Sequence, residues 1–591
     1  MLRTHTNGEL RAQHVDQTTK LCGWVDRGRD IGQLYFLSLR DRYGITQCVY
    51  ETSKTDDPIL EKLKGLANEF CVQVTGKVRH RTEKDVNKDM PTGEIEVVIE
   101  AIEVLNEAPV LPFQVRDDLS VSDDLRLKHR YLDLRRPKMQ KNLQIRHQTI
   151  QAAREALCEL GFLEIETPLL VRSTPEGARD FVVPSRTHPG KFYALPQSPQ
   201  LYKQMLMISG MDRYFQFAPA FRDEDLRADR VPVHTQIDME MTFVEEKDVF
   251  SAVEKMVSSI FKKVRNIDLK APFTIMPYAE AMDRFGNDKP DMRFGMELNT
   301  VTDLVKNLEF KVFSEAECVR CIVVEAGEKV SRKEIDGNLL AAAKVYGAKG
   351  LAWTRAKDGV LSGGVGKFLE PVSQELIDQL DVRDGNLLLF VADRYKTCCA
   401  ALSAVRLALG KQLDLIDQNE HAFLWVNDFP LFEQDEESGR WIAMHHLFTH
   451  PKLSDMEYLD TEPGKVRGQL YDLVLNGVEL LSGSIRINRA SLQQKILDIV
   501  EMPAEEARNK FGFLLDSFDY GAPPHGGSAM GLDRLVTILC GEDSIREVIA
   551  YPCNNQGIFP LDGSPAHCDP HQLEELHLTV VKKKETTTEN N

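Results

Sequence analysis

Five short runs in which apolar and polar residues alternate open the chain, at residues 20–25, 34–39, 45–50, 71–78 and 94–105, each punctuated by Gly, Asn or Asp. Strands of that length and spacing predict a small β-barrel over residues 1–108. A Pro-flanked, charge-dense stretch at 109–140 reads as a hinge. The period then lengthens: Leu143, Ile150, Ala153, Leu157 and Leu160 make a helical stripe that stops at Gly161. Residues 162–168 (FLEIETP) read as a strand ended by proline. Residues 217–243 read as strand, charged loop, strand, and complete a first segment, 141–285. Between 286 and 420 the signals mix, with a strand at 321–324, a helix near 332–346, a strand at 350–353 and a helix at 398–409. That pattern predicts a self-contained α+β insertion. Strand character resumes in 421–563, and residues 564–591 form an extension whose end, KKKETTTENN, is a solvated tail.

Within these elements the faces matter. Period-2 spacing puts Gln236, Asp238 and Glu240 on one side of a strand and Ile237, Met239 and Met241 on the other. Arg222 and Glu224 stand two apart on the preceding arm. A solvated edge hairpin would tolerate this, but buriable Phe and Met beside so much charge favour a site. Asn476-Gly477 between apolar alternations is a strong two-residue turn signal. In that register Leu475 pairs with Val478, Val474 with Glu479 and Asp472 with Leu481. Asp472 and Glu479 then lie close on one face of an apolar hairpin. Two such carboxylates repel unless a cation neutralises them, which makes Mg²⁺ the expected ion. Strict alternation turns Arg486 away from Glu479, and a bulge at 482–484 would return it. In the barrel, Tyr35 and Phe36 are framed by Arg27, Arg29 and Arg40. Alternation lets one aromatic face inward and leaves the other to stack a base. The loop at 520–534 runs through Gly and Pro into a helix carrying Arg534, a suitable place for an anion.

Composition narrows the class. The chain has 591 residues and a formal net charge of −18, so it should divide into several domains and should not coat polyanions with its whole surface. A local basic stripe remains compatible with a nucleic-acid partner. Eleven scattered Cys, with one isolated CxxC at Cys318 and Cys321, argue against a zinc site and for a reducing, cytoplasmic setting. No apolar run reaches membrane-spanning length, and the residues after Met1 are polar, so no membrane association is expected.

Taken together, the motifs resemble those of the class II aminoacyl-tRNA synthetases, in their bacterial aspartyl branch. FRDEDLRADR with TQIDMEM is similar to motif 2, the helix leading to GFLEIETP to motif 1, and GLDRL at 531–535 to motif 3. The loops carrying PEGA and QSPQLYK, and DKPDMRF at 288–294, point to the same branch. The resemblance implies an oligonucleotide-binding (OB-type) barrel for the anticodon, an antiparallel catalytic sheet flanked by helices, and a GAD-type inserted domain. It implies ATP and Mg²⁺, L-aspartate and tRNA(Asp) as ligands, with tRNA(Asn) as an alternative acceptor, and a homodimer formed through motif 1. An inactive paralogue and a tRNA-free asparagine synthetase are the other readings.

Carried onto this chain, Arg222 corresponds to the arginine on the ATP α-phosphate and substrate carboxylate, and Arg534 to that on the γ-phosphate. Asp223, Glu224, Glu479, Gly531, Leu532 and Asp533 fall at ATP positions, and Asp472 and Glu479 at the metal carboxylates. Lys203 and Arg486 match the cations that read the aspartate side chain, as a buried, unpaired pair. Glu176, Ser198, Gln200 and Asp238 match the shell around its amino group, and His445 and His446 a histidine pair beside it. Arg29, Phe36 and Gln47 match anticodon contacts. Four places depart from the pattern: Val231 in place of Gln, Leu480-Leu-Ser in place of an apolar-Gly-Gly run, Leu447 in place of Pro and Cys553 in place of Lys.

Overall fold

A computed structural model describes residues 1–581 except 52–56, 119, 175–177 and 227–229. The chain forms two compact units, one made of Met1–Gln144 with Arg546–Ala566, the other of Ile145–Ile545 with the C-terminal residues.

In the first unit, the strands Thr18–Ile31, Leu34–Asp41, Gly44–Glu51, Ile95–Asn106 and Cys71–His80 close into a barrel in that order. Each is longer than its apolar core because pairing extends past the buried residues into polar ends. Leu21, Leu37, Leu39, Cys48, Val74 and Val97 fill the interior. Tyr35 is the inward aromatic, 5% exposed. Its hydroxyl packs over Gly28, where a Cβ would stand 2.2 Å away, so the first strand carries glycine there. Residues 109–140, read as a hinge, belong to this unit. Their centre is Asp133, buried and accepting from Arg126 at 3.0 Å and Arg136 at 2.7 Å. Arg126 also holds Glu547 at 2.9 Å, and Arg130 donates to the carbonyls of Ala550 and Ile549, both at 2.9 Å. Charge density that signals a linker in a sequence is here an ordered ionic cluster.

The second unit is built on an eight-stranded sheet. Its order is Thr274–Pro277, Phe423–Asn427, Leu470–Leu475, Val478–Ile485, His525–Gly531, Val233–Thr242, Arg213–Phe221 and Leu163–Glu164. The interior is antiparallel throughout, and only the pair at each edge runs parallel. The FLEIETP segment contributes just Leu163 and Glu164 to that edge. Helices Gln200–Ile208, Glu246–Arg265, Ala504–Phe518 and Leu532–Cys540 flank the sheet. The region from 298 to 412 forms a separate five-stranded sheet ordered Leu298–Thr300, Cys318–Val324, Leu387–Asp393, Ala352–Lys357, Val360–Ser362. Helix Tyr395–Gln412, longer at both ends than the apolar run implied, covers one face through Cys398, Leu402, Val405 and Leu409. Cys318 and Cys321 point to opposite faces of their strand and join different cores, so this CxxC cannot converge on one ion.

Candidate functional site: a charged cleft on the eight-stranded sheet

The two hairpins singled out in the sequence lie on either side of the His525–Gly531 strand. Gln236, Asp238 and Glu240 face the same side as Gly531, Ala529 and Gly527, with which they pair. Gly527 is a steric necessity: a Cβ there would lie 2.1 Å from the Met239 carbonyl and 2.3 Å from the Glu240 carboxylate. On the other flank Leu475 pairs with Val478 and Val474 with Glu479, across a turn in which Asn476 and Gly477 both have positive φ. Beyond that the expected register fails. Asp472 pairs with Ser482, not Leu481, because a bulge falls at Leu480. The bulge does what was expected of one at 482–484, two residues earlier: it turns Ser482, Ser484 and Arg486 onto the face of Glu479.

These strands floor a cleft of about 460 Å³. It brings together Ser198, Gln200, Lys203, Arg222, Glu224, Asp238, His445, His446, Glu479, Arg486, Gly531, Asp533 and Arg534. Three expected residues do not line it. Asp223 is exposed beside Arg179 at 3.9 Å. Leu532 is fully buried in the core. Asp472 is on the cleft face, opposite Ser482, but is 1% exposed and outside the lining. Glu176 falls outside the described residues, as do three residues of the loop in FRDEDLRADR, 227–229.

The deep end is an ionic cluster. Lys203 contacts Asp238 at 2.9 Å and Glu240 at 3.3 Å. Glu240 takes two bonds from Arg486, at 2.9 and 3.1 Å. Lys203 and Arg486 are therefore paired, not unpaired as expected. Two cations and two carboxylates cancel, so a carboxylate guest must be received by directed N–H donors, not by surplus charge. The only signal of Glu240 in the sequence is its third place in the row with Gln236 and Asp238. Burial pushes Asp238 up to about 6 despite Lys203. Burial also opposes ionisation of Glu240, but Arg486 and Lys203 outweigh it and hold Glu240 below the usual range. His446 takes a bond from Arg486 Nη1 at 2.6 Å on Nε2. A guanidinium only donates, so that nitrogen carries no proton. Burial, reinforced by the Arg486 charge, keeps the imidazole neutral. Its neighbour His445 is exposed, with its ring 5.3 Å from that of Phe429.

Several polar atoms here are buried without a hydrogen-bond partner: Gln200 Nε2, Gln236 Oε1 and Asp238 Oδ1. Native proteins seldom leave such groups unmade. One donor and two acceptors around one cavity describe the complement of a zwitterionic guest.

The shallow end is arginine-rich. Arg222, Arg230 and Arg534 line it. Arg534 donates to the carbonyl of Glu479, which ties the GLDRL helix to the carboxylate hairpin. His234 stands between; burial, and then the Arg222 charge, lower it to about 4. Asp533 takes Arg146 from the motif 1 helix and the Thr235 amide at 2.8 Å. Its carboxylate thus locks three motifs together, which leaves its backbone, more than its side chain, to a ligand. Val231 is buried at the wall, 6% exposed.

The carboxylate pair fits a cation. Burial, then the charge of Glu479, hold Asp472 well above the carboxylate range, and its Oδ1 is buried without a partner.

Residues 122–555 match the family profile described as tRNA synthetases class II (D, K and N). The chain belongs to the class II tRNA synthetases. Residues 19–105 of the synthetase match an OB-fold nucleic acid binding domain. An aspartate–tRNA ligase of Ruminiclostridium cellulolyticum is 48% identical over 98% of both chains. An aspartate–tRNA(Asp/Asn) ligase of Heliobacterium modesticaldum is 50% identical over 98% of this chain and 96% of its own. Among solved structures, an asparaginyl-tRNA synthetase of Pyrococcus horikoshii complexed with asparaginyl-adenylate shares the fold, with a TM-score of 0.59 at 19% identity over 93% of this chain and 98% of its own. An aspartyl-tRNA synthetase of Entamoeba histolytica does so with a TM-score of 0.58 at 19% identity, over 93% and 91%.

In the barrel of the synthetase, Arg29 pairs with Phe36 and Ser38 with Gln47. Arg29, Phe36 and Gln47 therefore share the outer face, with Arg29 exposed and Phe36 half-buried. Gln47 Nε2 donates to Glu96 at 2.9 Å.

Proposed function

We propose that this synthetase is an ATP-dependent aspartate–tRNA ligase that works in two steps. The observation that carries the reading is the set of unpartnered polar atoms beside Lys203 and Arg486. Asp238 Oδ1 and Gln236 Oε1 accept the α-ammonium of L-aspartate, supported by Ser198 and Gln200. Lys203 and Arg486 donate to its side-chain carboxylate, with His446 yielding its hold on Arg486. Arg222, on the wall of the cleft, meets both the substrate α-carboxylate and the ATP α-phosphate. The carboxylate attacks the α-phosphorus, the bond to the β-phosphate breaks, and pyrophosphate leaves on the side of Arg534. The terminal adenosine of tRNA then attacks the aspartyl carbonyl and AMP leaves. No side chain changes its covalent state, so catalysis is positioning and charge neutralisation. Asp472 and Glu479 would hold Mg²⁺, which supplies compensation for phosphate charge. Arg29, Phe36 and Gln47 are the anticodon contacts, and the motif 1 helix forms a homodimer.

Aspartate-dependent ATP–pyrophosphate exchange tests the first step; a folded protein without exchange would leave the inactive-paralogue reading. Charging purified tRNA(Asp) and tRNA(Asn) side by side tests the second. Aspartylation of both is the outcome for a ligase of the Asp/Asn kind, and charging of neither would favour a tRNA-free enzyme.

A further inference from the structure

The five-stranded insertion is bolted to the catalytic sheet along one face of a single helix. In Tyr395–Gln412, Cys398, Leu402, Val405 and Leu409 point into the insertion's own core. The adjoining face, Cys399, Ser403, Arg406 and Gly410, keeps helical spacing and meets residues 282–296, the segment by which the chain enters the insertion. Buried Arg320 bridges the first of these, donating to Cys399 Sγ at 3.0 Å and to the Met282 carbonyl at 3.2 Å. Asn287 Nδ2 donates to Ser403 Oγ. Arg406, fully buried, donates to the carbonyls of Asp291 at 3.0 Å, Phe294 at 2.6 Å, Gly295 at 3.1 Å and Met296 at 3.2 Å. Its guanidinium lies over the Phe294 ring, 4.0 Å from the centroid, and a Cβ on Gly410 would stand 2.7 Å from that same ring.

The same segment meets the tip of the hairpin Leu470–Ile485. A Cβ on Gly477 would lie 3.1 Å from Asp291 Cβ and 3.5 Å from its Cα. Asp291 is 3% exposed and fixed at both ends. Its carbonyl takes Arg406, and its carboxylate takes Arg293 at 2.9 and 2.7 Å. Met292 packs on the cluster containing Leu470 and Val474 of the first hairpin strand. The chain leaving the insertion reaches this tip as well. Asn476 Nδ2 donates to the Glu420 carbonyl at 2.9 Å, and Asn476 Oδ1 accepts from the Ala422 amide at 2.9 Å. Both connections of the insertion thus converge on the Asn476-Gly477 turn.

We propose that the insertion is a positioning element of the adenylation site, with Arg406 and Asp291 as its positioning residues: the helix sets the entry segment, and the entry segment sets the hairpin tip. The inference rests on the reading of the cleft as that site. The hairpin gives Glu479, Leu480, Ser482 and Gly483 to the cleft lining, and Arg534 is tied to the Glu479 carbonyl. A tilt at the tip carries Glu479 and the anchor of Arg534 with it. The deep end of the cleft is held from elsewhere. Lys203, Asp238 and Glu240 lie on other elements, and Glu240 grips Arg486 by two bonds. Loss of the clamp should therefore disturb turnover and leave aspartate binding alone, since a misplacement of about 1 Å in a site can cost about a hundredfold in rate.

The test compares wild type, Arg406→Lys and Val382→Ala in the full chain. Lysine keeps the charge but cannot span four carbonyls. Val382 lies in the core on the opposite face of the insertion sheet, so its truncation loosens the insertion without touching the clamp. Two quantities are read in protein that thermal unfolding shows to be folded: amide hydrogen exchange across Leu470–Ile485, and the kcat and KM values of aspartate-dependent ATP–pyrophosphate exchange. Arg406→Lys should speed amide exchange in the hairpin and lower kcat by about tenfold with the KM for aspartate unchanged. Val382→Ala should leave both at wild-type values. Asn287→Ala, which removes the bond to Ser403 and leaves Arg406 in place, should act in the same direction by about threefold, and takes over the test if Arg406→Lys does not fold. Hairpin protection and kcat in Arg406→Lys equal to those of Val382→Ala would overturn the inference. A wild type without pyrophosphate exchange would sink the adenylation reading, and amide exchange in the hairpin would still decide whether the insertion positions it.

Discussion

Glu240 is the residue on which two cations depend. Lys203 and Arg486 are each about 2% exposed in their side chains and both reach its carboxylate. Removing one charge from a buried pair costs about 3–5 kcal/mol, mostly because the partner is left uncompensated. Glu240→Gln should therefore lower unfolding stability by about 3 kcal/mol in a denaturant titration and weaken aspartate binding with little change for ATP. Asp238 behaves differently. Its folded value of about 6 lies above the ordinary 3.8, so the folded state binds the proton more tightly than the unfolded one. The stability that this proton contributes is present below 3.8 and is lost as pH rises through about 6. Function runs the other way, because the protonated acid is a poor acceptor for an ammonium. The KM for aspartate should climb as pH drops below about 6, by roughly tenfold per unit at the limit, while the KM for ATP stays flat. In Asp238→Asn, KM should be high at every pH and lose that slope. Asp238 was legible in the sequence, since a carboxylate alternating with Ile and Met announces its face. Glu240 was on the same face, but a pattern of faces does not say which charges meet, and so Lys203 and Arg486 were read as unpaired.

At the scale of elements, the hairpin Leu470–Ile485 shows how far a sequence can be read and where it stops. Asn476-Gly477 fixed the turn and the first two pairs, because both residues must take positive φ and these two do so readily. Glycine in a strand often marks a bulge, which points to Ser482-Gly483-Ser484. Gly483 in fact sits in register opposite Tyr471, and it is glycine for space: a Cβ would lie 2.3 Å from the Gly527 carbonyl and 2.6 Å from the Tyr471 ring. The bulge falls at Leu480, which is 2% exposed, and no local residue preference signals it. Gly483→Ala should thus push two strands apart beneath the cleft. Overpacking of this kind costs typically 1–3 kcal/mol, visible as a lower denaturation midpoint, and exchange activity should fall further than stability does. A variant as stable as wild type would show that the sheet can relax around the added carbon.

For the whole molecule, the proposed adenylation cleft and the proposed anticodon face each fall within one compact unit. All the cleft residues belong to the second unit, and Arg29, Phe36 and Gln47 to the first. With a net charge of −18, the surface at large repels RNA, so binding must be carried by local features such as the outer barrel face. Order along the chain made that division readable: strands at short spacing, then helical stripes, then a second set of strands. The tying of 546–566 to the barrel unit was not readable, because Arg126 and Arg130 lie more than 400 residues from the groups they hold. If Phe36 stacks an anticodon base, Phe36→Ala should weaken tRNA binding by roughly 1–3 kcal/mol. Because Phe36 lies on the outer face opposite to the packed Tyr35, the barrel should keep its unfolding temperature. Pyrophosphate exchange, which needs no tRNA, should stay at the wild-type rate while the KM for tRNA in aspartylation rises by tenfold or more. Loss of exchange together with charging would instead identify Phe36 as a packing residue whose removal damages the protein as a whole. The two rates measured on one preparation therefore distinguish recognition from stability.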